Sequence, residues 1–594
     1  ISMLDDTMRA RYILAIFSVL FPLVSRAQFA DVSWSAAKKD TLLPLCTAVV
    51  DLPADYASYR YSARVEYPEY RRMTAEEVTR YSLVEKYASL PEQPAVECHV
   101  GVQAKQPQLD MSFLPVVLRD GIYYRIDSYK LTVSRQPLPS NAKSVARSAA
   151  ERYAATSVLA SGKWVLVSVQ TDGVHKITHT ELAGMGFNDP AKVRLYGYGG
   201  HLLPEVGIEG LVDDLCEVPL WRENGYMLFY ANGVTAWKYS VDRYVREQNV
   251  YSNYGCYFLT ESDEAPMEFP VEEVIPSSKV EYTTYNDYVL HEKDAKSLCS
   301  YGRELVDDYD YSRGRRVKYE LPATAVAGGK AVLDISFATN GLERSTVTVK
   351  AGSNNLGSLT VGRRVSGEVG KMATGKFVIE EGLSDNPIVE LQHNVTNSSV
   401  TGFLNYITLT YPRVLALYGS QTLFRGNMPD GNATYRISGC NADTRVWDVS
   451  DVASIKQLSG TLSGNTYTVA GPANYNGNLV AVNVKGSFPS VSVIGTVPNQ
   501  NLHGMGRTDM VIIVPSNGKF VAAAERLADV HREVDGLNVE VVTAQQVYNE
   551  FSSGTPDVTA YRRLMKMLYD KATTAEEAPR YLLLFGDAWY DNRL

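Results

Sequence analysis

The stretch DMVIIVPSNGKFVAAAERLADVHREVDGLNVEVVT, residues 509–543, decides how the last part of this chain folds. DMVIIVP is an apolar run without polar alternation, the pattern of a strand buried on both faces. Phe520, Ala524, Leu527, Val530 and Val534 follow at helical spacing, with Gly536 as the stop. NVEVVT (538–543) reads as a second strand. PDVTAYRRLMKMLYDKA (556–572) reads as a second helix, with Asp557 as its cap and Ala560, Leu564 and Leu568 on one face. YLLLF (581–585) is a third strand, closed by Gly586-Asp587. This order makes two βαβ units, so residues 507–594 predict a parallel sheet with right-handed crossovers. Three parallel strands cannot cover both faces and both edges of a sheet, so more chain is expected after them.

Upstream the grammar is that of β structure. With 39 Tyr against 16 Phe, the chain is rich in a residue suited to pleated, half-exposed surfaces. A length of 594 residues predicts several domains. Residues 28–156 read as an α+β domain with a linker. Its helix signal is TAEEVTRYSLVEKYASL (74–90), where Thr74 and Glu77 have capping-box spacing and Val78, Leu83 and Tyr87 share a face. The Ser/Ala-rich stretch 137–157 reads as a linker or a loose helix joining two domains. Residues 157–322 and 416–506 read as β-rich domains. Residues 323–415 read as a β-sandwich, because KAVLDISFATN, STVTVKAG, PIVELQHN and GFLNYITLTYP alternate at short spacing. The expected fold class is therefore multidomain and mainly β, with antiparallel sandwich-like domains before an incomplete α/β parallel sheet.

Residues 1–27 read as a signal peptide. Arg9 and Arg11 precede an apolar run from Tyr12 to Val24, and Ser25-Arg26-Ala27 offers a small-x-small cleavage site. The run is too short to span a bilayer comfortably. A net charge of -9 argues against nucleic-acid binding, which needs a basic footprint. Six scattered cysteines contain no C-x-x-C pair, which disfavours zinc ribbons and thioredoxin-type redox chemistry; their pairing stays open.

Candidate chemistry is sparse. His291-Glu292 has Ala295 where H-E-x-x-H needs its second histidine, so the metalloprotease motif is broken. Gly197, Gly199 and Gly200 follow a strand, but Pro204 does not promise the helix that a dinucleotide fingerprint requires, and a glycine turn is the simpler reading. Cys98 and His99 are adjacent, so in a strand they point to opposite faces. Asp587 lies just past the third strand, where ligands of open parallel sheets bind. It reads either as a turn or capping aspartate or as a carboxylate that orients a histidine or holds a cationic group.

Several stretches resemble a known family. SGKWVLVSVQTDGVHKIT (161–178), VRLYGYGGHLLPE (193–205), YVLHEKDAKSL (288–298), GFLNYITLTYPR (402–413) and VWDVSD (446–451) look like the N-terminal region of the C-terminal signal peptidases, or sortases, of bacterial type IX secretion. MVIIVP, the P-D-x-T-A-x-R pattern at 556–562 and YLLLFGDAWYDNR (581–593) are similar to the opening of a gingipain-type cysteine peptidase domain. The resemblance implies a His-activated thiolate that attacks a peptide carbonyl and forms a thioester. Water resolves it by hydrolysis, or an amine on a surface glycolipid by transpeptidation. It implies cargo proteins with C-terminal sorting domains and outer-membrane secretion components as partners, a peripheral place at the cell surface, and no cofactor or metal. It implies Asp587 as a supporting carboxylate, although the next aspartate, Asp591, stands four residues on where the family pattern has three. The family's nucleophilic cysteine and its histidine follow later strands. Here no histidine follows His531 and no cysteine follows Cys440, so this stretch alone is expected to be inactive. The alternatives are a secreted β-sandwich adhesin or binding protein, and a general gingipain-like protease.

Overall fold

The computed structural model describes residues 21–22, 29–35, 41–87, 89–138, 152–207, 211–273, 280–298, 305–426, 433–471 and 477–587. The chain forms two compact units, Ile1–Ser148 with Thr573–Ala578 and Ala149–Ala572 with Pro579–Leu594.

In the first unit the strand Ile122–Pro137 pairs antiparallel with Tyr59–Arg72, Val116–Arg119, Ala30–Asp31 and Phe21–Pro22. The pair Phe21–Pro22 is the only part of the expected leader among the described residues. A second sheet runs Cys46–Asp51, Gln106–Phe113, Glu97–Gln103. Leu52, Tyr61, Leu109, Met111 and Val133 form a core. The expected capping box is present: Thr74 Oγ1 accepts from the Glu77 amide at 3.2 Å, and Glu77 Oε2 accepts from the Thr74 amide at 2.8 Å. The expected single helix is two pieces, however, Ala75–Arg80 and Leu83–Lys86. Ser82 lies in the left-handed region at φ 51°, which turns Leu83 into the core at 0% exposure. The linker assigned to 137–157 falls mostly outside the described residues.

In the second unit a five-stranded antiparallel sheet runs Glu217–Val218, Val193–Tyr196, Gly255–Glu261, Trp164–Val169, Ser492–Val497. Its last strand comes from more than 300 residues downstream of its neighbour. Trp447, Val480 and Val482 share one core with Val167, Phe229 and Leu259, so the β structure around residues 420–484 packs into that of 164–261.

A sandwich follows. One sheet runs Thr284–Glu292, Gly402–Val414, Ala331–Thr339, Lys371–Ile379; the other runs Arg316–Glu320, Ile388–Asn394, Ser345–Ala351, Asn354–Val361. Ser345–Ala351 alternates buried and half-buried residues, as one covered face demands. Ala331–Thr339 is buried at every position. Its second face is covered near the hairpin Thr235–Ser240/Arg243–Gln248, where Arg243 Nε meets Asp334 at 2.7 Å and the Tyr244 amide donates to Thr410 Oγ1 at 3.0 Å.

The final segment is the expected α/β unit. Its elements are β1 (Met510–Val514), α1 (Val521–Val534), β2 (Val539–Thr543), α2 (Ala544–Phe551), α3 (Thr559–Lys571) and β3 (Tyr581–Leu584). All three strands are parallel, with β1 between β2 and β3. α2 was not anticipated. The face expected of α1 holds in part: Ala524 is fully buried and Leu527 packs partly buried against Ile512, Val514 and Val539, joined by Ala528, whereas Phe520, Val530 and Val534 are 44%, 51% and 75% exposed. Small side chains let the helix approach the sheet closely.

Candidate active site

At the carboxyl end of the sheet, the chain leaving β1 and the chain leaving β3 come together. After β1 the chain turns at Pro515, whose carbonyl accepts from the Gly518 amide at 2.9 Å, with Gly518 at φ +68°. After β3 the Phe585 amide still donates to Ile513 O at 2.8 Å. A Cβ on Gly586 would lie 3.3 Å from Pro515 Cγ, so a side chain here would press lightly on that turn. Asp587 comes next and is exposed. This rim is where an open parallel sheet binds ligands.

No described cysteine is positioned as a nucleophile. Burial pushes the Cys256 thiol up to about 12 and the Cys216 thiol up to about 11. Burial also raises Cys46, Cys98 and Cys440. A catalytic thiol needs the opposite shift, from an imidazolium or helix N-terminus. All five are free thiols. Cys98 and His99 face Met111 and Asp110 across the strand pair, so they point to opposite sides as expected. His291 lies 3.6 Å from Asp307, and Glu292 is paired with Arg246, so neither meets the other's chemistry.

A charged cluster that local sequence patterns do not reveal lies where the α/β segment meets the β structure. The His503 side chain is wholly buried. Its Nδ1 lies 2.6 Å from Glu550 Oε2 and its Nε2 lies 3.2 Å from Asp213 Oδ1. Phe551 stacks on the ring at 4.6 Å. Glu550, also wholly buried, further accepts from the amides of Leu502 (2.7 Å) and His503 (2.9 Å) and from Gln500 Nε2 (2.9 Å). Burial alone would push the imidazole down; Asp213 and Glu550 hold it up, at about 9. Asp214 accepts from Ser157 Oγ at 2.9 Å and from the Val158 amide at 2.7 Å. Asp214, His503 and Glu550 have metal-ligand chemistry, but both ring nitrogens face carboxylates and the imidazolium itself supplies the cation.

The glycine stretch 197–200 has its explanation at the same junction. A Cβ at Gly199 would sit 2.3 Å from Asn232 O, and one at Gly200 would sit 2.5 Å from Gly255 Cα. One at Gly197 would sit 2.6 Å from Ser553 Oγ. Ser553 Oγ accepts from the Tyr198 amide at 3.0 Å and donates to Cys256 O at 2.9 Å, while Thr555 Oγ1 accepts from the Cys256 amide at 2.9 Å. Asp557, expected as a cap, accepts from the Thr559 amide at 2.8 Å and also from the Leu203 amide at 3.0 Å. Gly197 seats Ser553 of the α2–α3 loop, while Gly199 and Gly200 admit the backbone at Asn232 and Gly255. Gly199→Ala, at φ +83°, is expected to lower stability by about 2 kcal/mol in a denaturant titration. Gly207→Ala, at φ +70° with open space around it, isolates the backbone part of that cost. Equal losses at both positions would show that close approach contributes nothing.

Residues 505–594 match the model of peptidase family C25. The structure is similar to that of dimeric latent PorU from Porphyromonas gingivalis, with a TM-score of 0.65 and 29% identity, covering 74% of this chain and 43% of that one. The chain thus spans less than half the length of that relative. A CBM36-1 domain of a multidomain xylanase from the hindgut metagenome of Trinervitermes trinervoides is 15% identical over 21% of this chain and 95% of its own, but at a TM-score of 0.15 it bears on neither fold nor function. None of the curated proteins matches the chain. The chain is PorU-like and mainly β, and its α/β segment carries the match to peptidase family C25.

Proposed function

We propose that this chain belongs to a cysteine endopeptidase and transpeptidase that removes the C-terminal sorting domain of type IX cargo and joins the cargo to an amine of a surface glycolipid. The observation that carries this is the parallel sheet at 510–584, matched to family C25, with Gly586-Asp587 past the carboxyl end of β3 and beside the turn after β1. In this reading Asp587 orients the catalytic imidazole or holds a cationic substrate group. The thiolate and imidazole come from peptidase-domain residues outside 505–594. The thiolate attacks the scissile carbonyl and the cargo is held as a thioester while the sorting domain leaves. Water then gives free cargo, and an amine gives the conjugate. The protein acts at the outer-membrane surface, in keeping with the leader-like residues 1–27. Among the described residues no helix is long and apolar enough to cross a membrane.

The longest protein encoded by the gene, incubated with a cargo bearing its sorting domain and a primary amine, tests this. Mass spectrometry should find the cleaved sorting domain and an amine adduct at the new cargo terminus, both abolished by a thiol alkylator. Cleavage without adduct would reduce the reading to a peptidase, and alkylator-resistant cleavage would overturn it.

A further inference from the structure

A cavity of about 350 Å³ lies among the hairpin 235–248, the sandwich strand Thr284–Glu292 and the β structure behind them. This volume is at the small end of the range for ligand sites. One wall is aromatic. Trp237 stacks on Tyr288 with ring centroids 4.0 Å apart, and Tyr244 lies 4.8 Å from Tyr288 and 5.1 Å from Tyr239. The hairpin presents this wall because Trp237 and Tyr239 are two residues apart on one strand, and Tyr239 faces Tyr244 across the pair.

Two features point to an occupant. Tyr230 and Tyr244 line the cavity at 4% and 6% exposure, and neither hydroxyl has a hydrogen-bond partner among the described residues. Neither oxygen is among the buried unpartnered atoms, so both hydroxyls reach open space at the cavity, where they can bond a group that enters it. Asp172 also lines it. Its Oδ1 accepts from His201 Nε2 at 2.9 Å and from the Gly233 amide at 2.8 Å, which fixes the carboxylate and leaves Oδ2 as an acceptor.

Aromatic side chains beside phenol hydroxyls and a fixed carboxylate oxygen suit a ring that is apolar on its faces and hydroxylated at its edge. An organic cation fits less well. Asp172 already contacts His201, Asp287 is paired with Arg413 at 2.7 Å, and Lys238 and Arg425 share the lining. An anion would meet the same two carboxylates. We propose that this cavity is a saccharide subsite that takes one neutral sugar ring. The assignment stands independently of the peptidase reading, because it uses no residue of the α/β segment.

The test is a tryptophan-fluorescence and saturation-transfer NMR titration of the full chain. The probes are glucose, galactose, mannose and N-acetylglucosamine with their methyl glycosides, and choline as the cationic control. At least one sugar should bind at millimolar concentration. The double variant Tyr230→Phe/Tyr244→Phe keeps both rings, so it should melt like the native chain yet bind that sugar roughly tenfold more weakly. A methyl glycoside that binds as well as its free sugar marks a ring at the end of a glycan chain; loss on methylation marks a free sugar. Absence of sugar binding, equal binding by the double variant, or preference for choline would each overturn the assignment.

Discussion

His503→Gln is expected to lower the free energy of unfolding by about 3–5 kcal/mol, because it leaves buried carboxylates without their cation. The loss is expected to depend on pH. The imidazole has an ordinary value of 6.5 and is held at about 9 in the folded protein. At 1.36 kcal/mol per unit that rise corresponds to about 3 kcal/mol of stability. A group whose folded value is raised contributes fully below its unfolded value and loses that contribution as pH rises through the folded one. The advantage of the native protein over the variant should thus be complete below pH 6.5 and shrink through pH 9. The side chain is fully buried, so salt should change it little. Denaturant titrations of both proteins at pH 6, 8 and 10 check this. A difference that stays constant with pH, or one below about 1 kcal/mol at pH 6, would show that His503 is an ordinary packed residue.

The parts of the fold that were legible in the sequence are those with local causes. β1 is buried on both faces, and its unbroken apolar run says so. The Thr74–Glu77 capping box is visible as a spacing and is present as geometry. α1 was legible as a helix but not in its orientation. Its period admits two neighbouring faces, and the sheet takes the side of Ala524, Leu527 and Ala528 and leaves Val530 and Val534 exposed. α2 is eight residues long with a largely polar face, below the length at which periodicity speaks; its remaining signal was the capping box at Thr543 and Gln546.

The junction was illegible for a different reason. His503 lies 290 residues from Asp213 and 47 from Glu550, so no local pattern joins them. The glycines at 197–200 looked like a turn because the groups they admit, the backbone at Asn232 and Gly255 and the Ser553 side chain, come from elsewhere in the chain. The Tyr230 and Tyr244 cavity is non-local in the same way. Asp587 is singled out by one local rule, that ligands of open parallel sheets bind past the carboxyl ends of the strands.

That residue carries the central claim, that the carboxyl end of the sheet is the peptidase site. Asp587→Asn keeps size and shape and removes the charge. Loss of a carboxylate that orients a catalytic imidazole costs about a hundredfold or more in rate. The side chain is exposed, so stability should change by less than about 0.5 kcal/mol. The most direct measurement is kcat/KM for thiol-dependent peptide cleavage by the longest protein the gene encodes, native against Asp587→Asn, with melting curves alongside. A fall of about a hundredfold with an unchanged melting temperature is the predicted result. Equal kcat/KM in the two proteins would make Asp587 a turn residue and contradict the placement of the site.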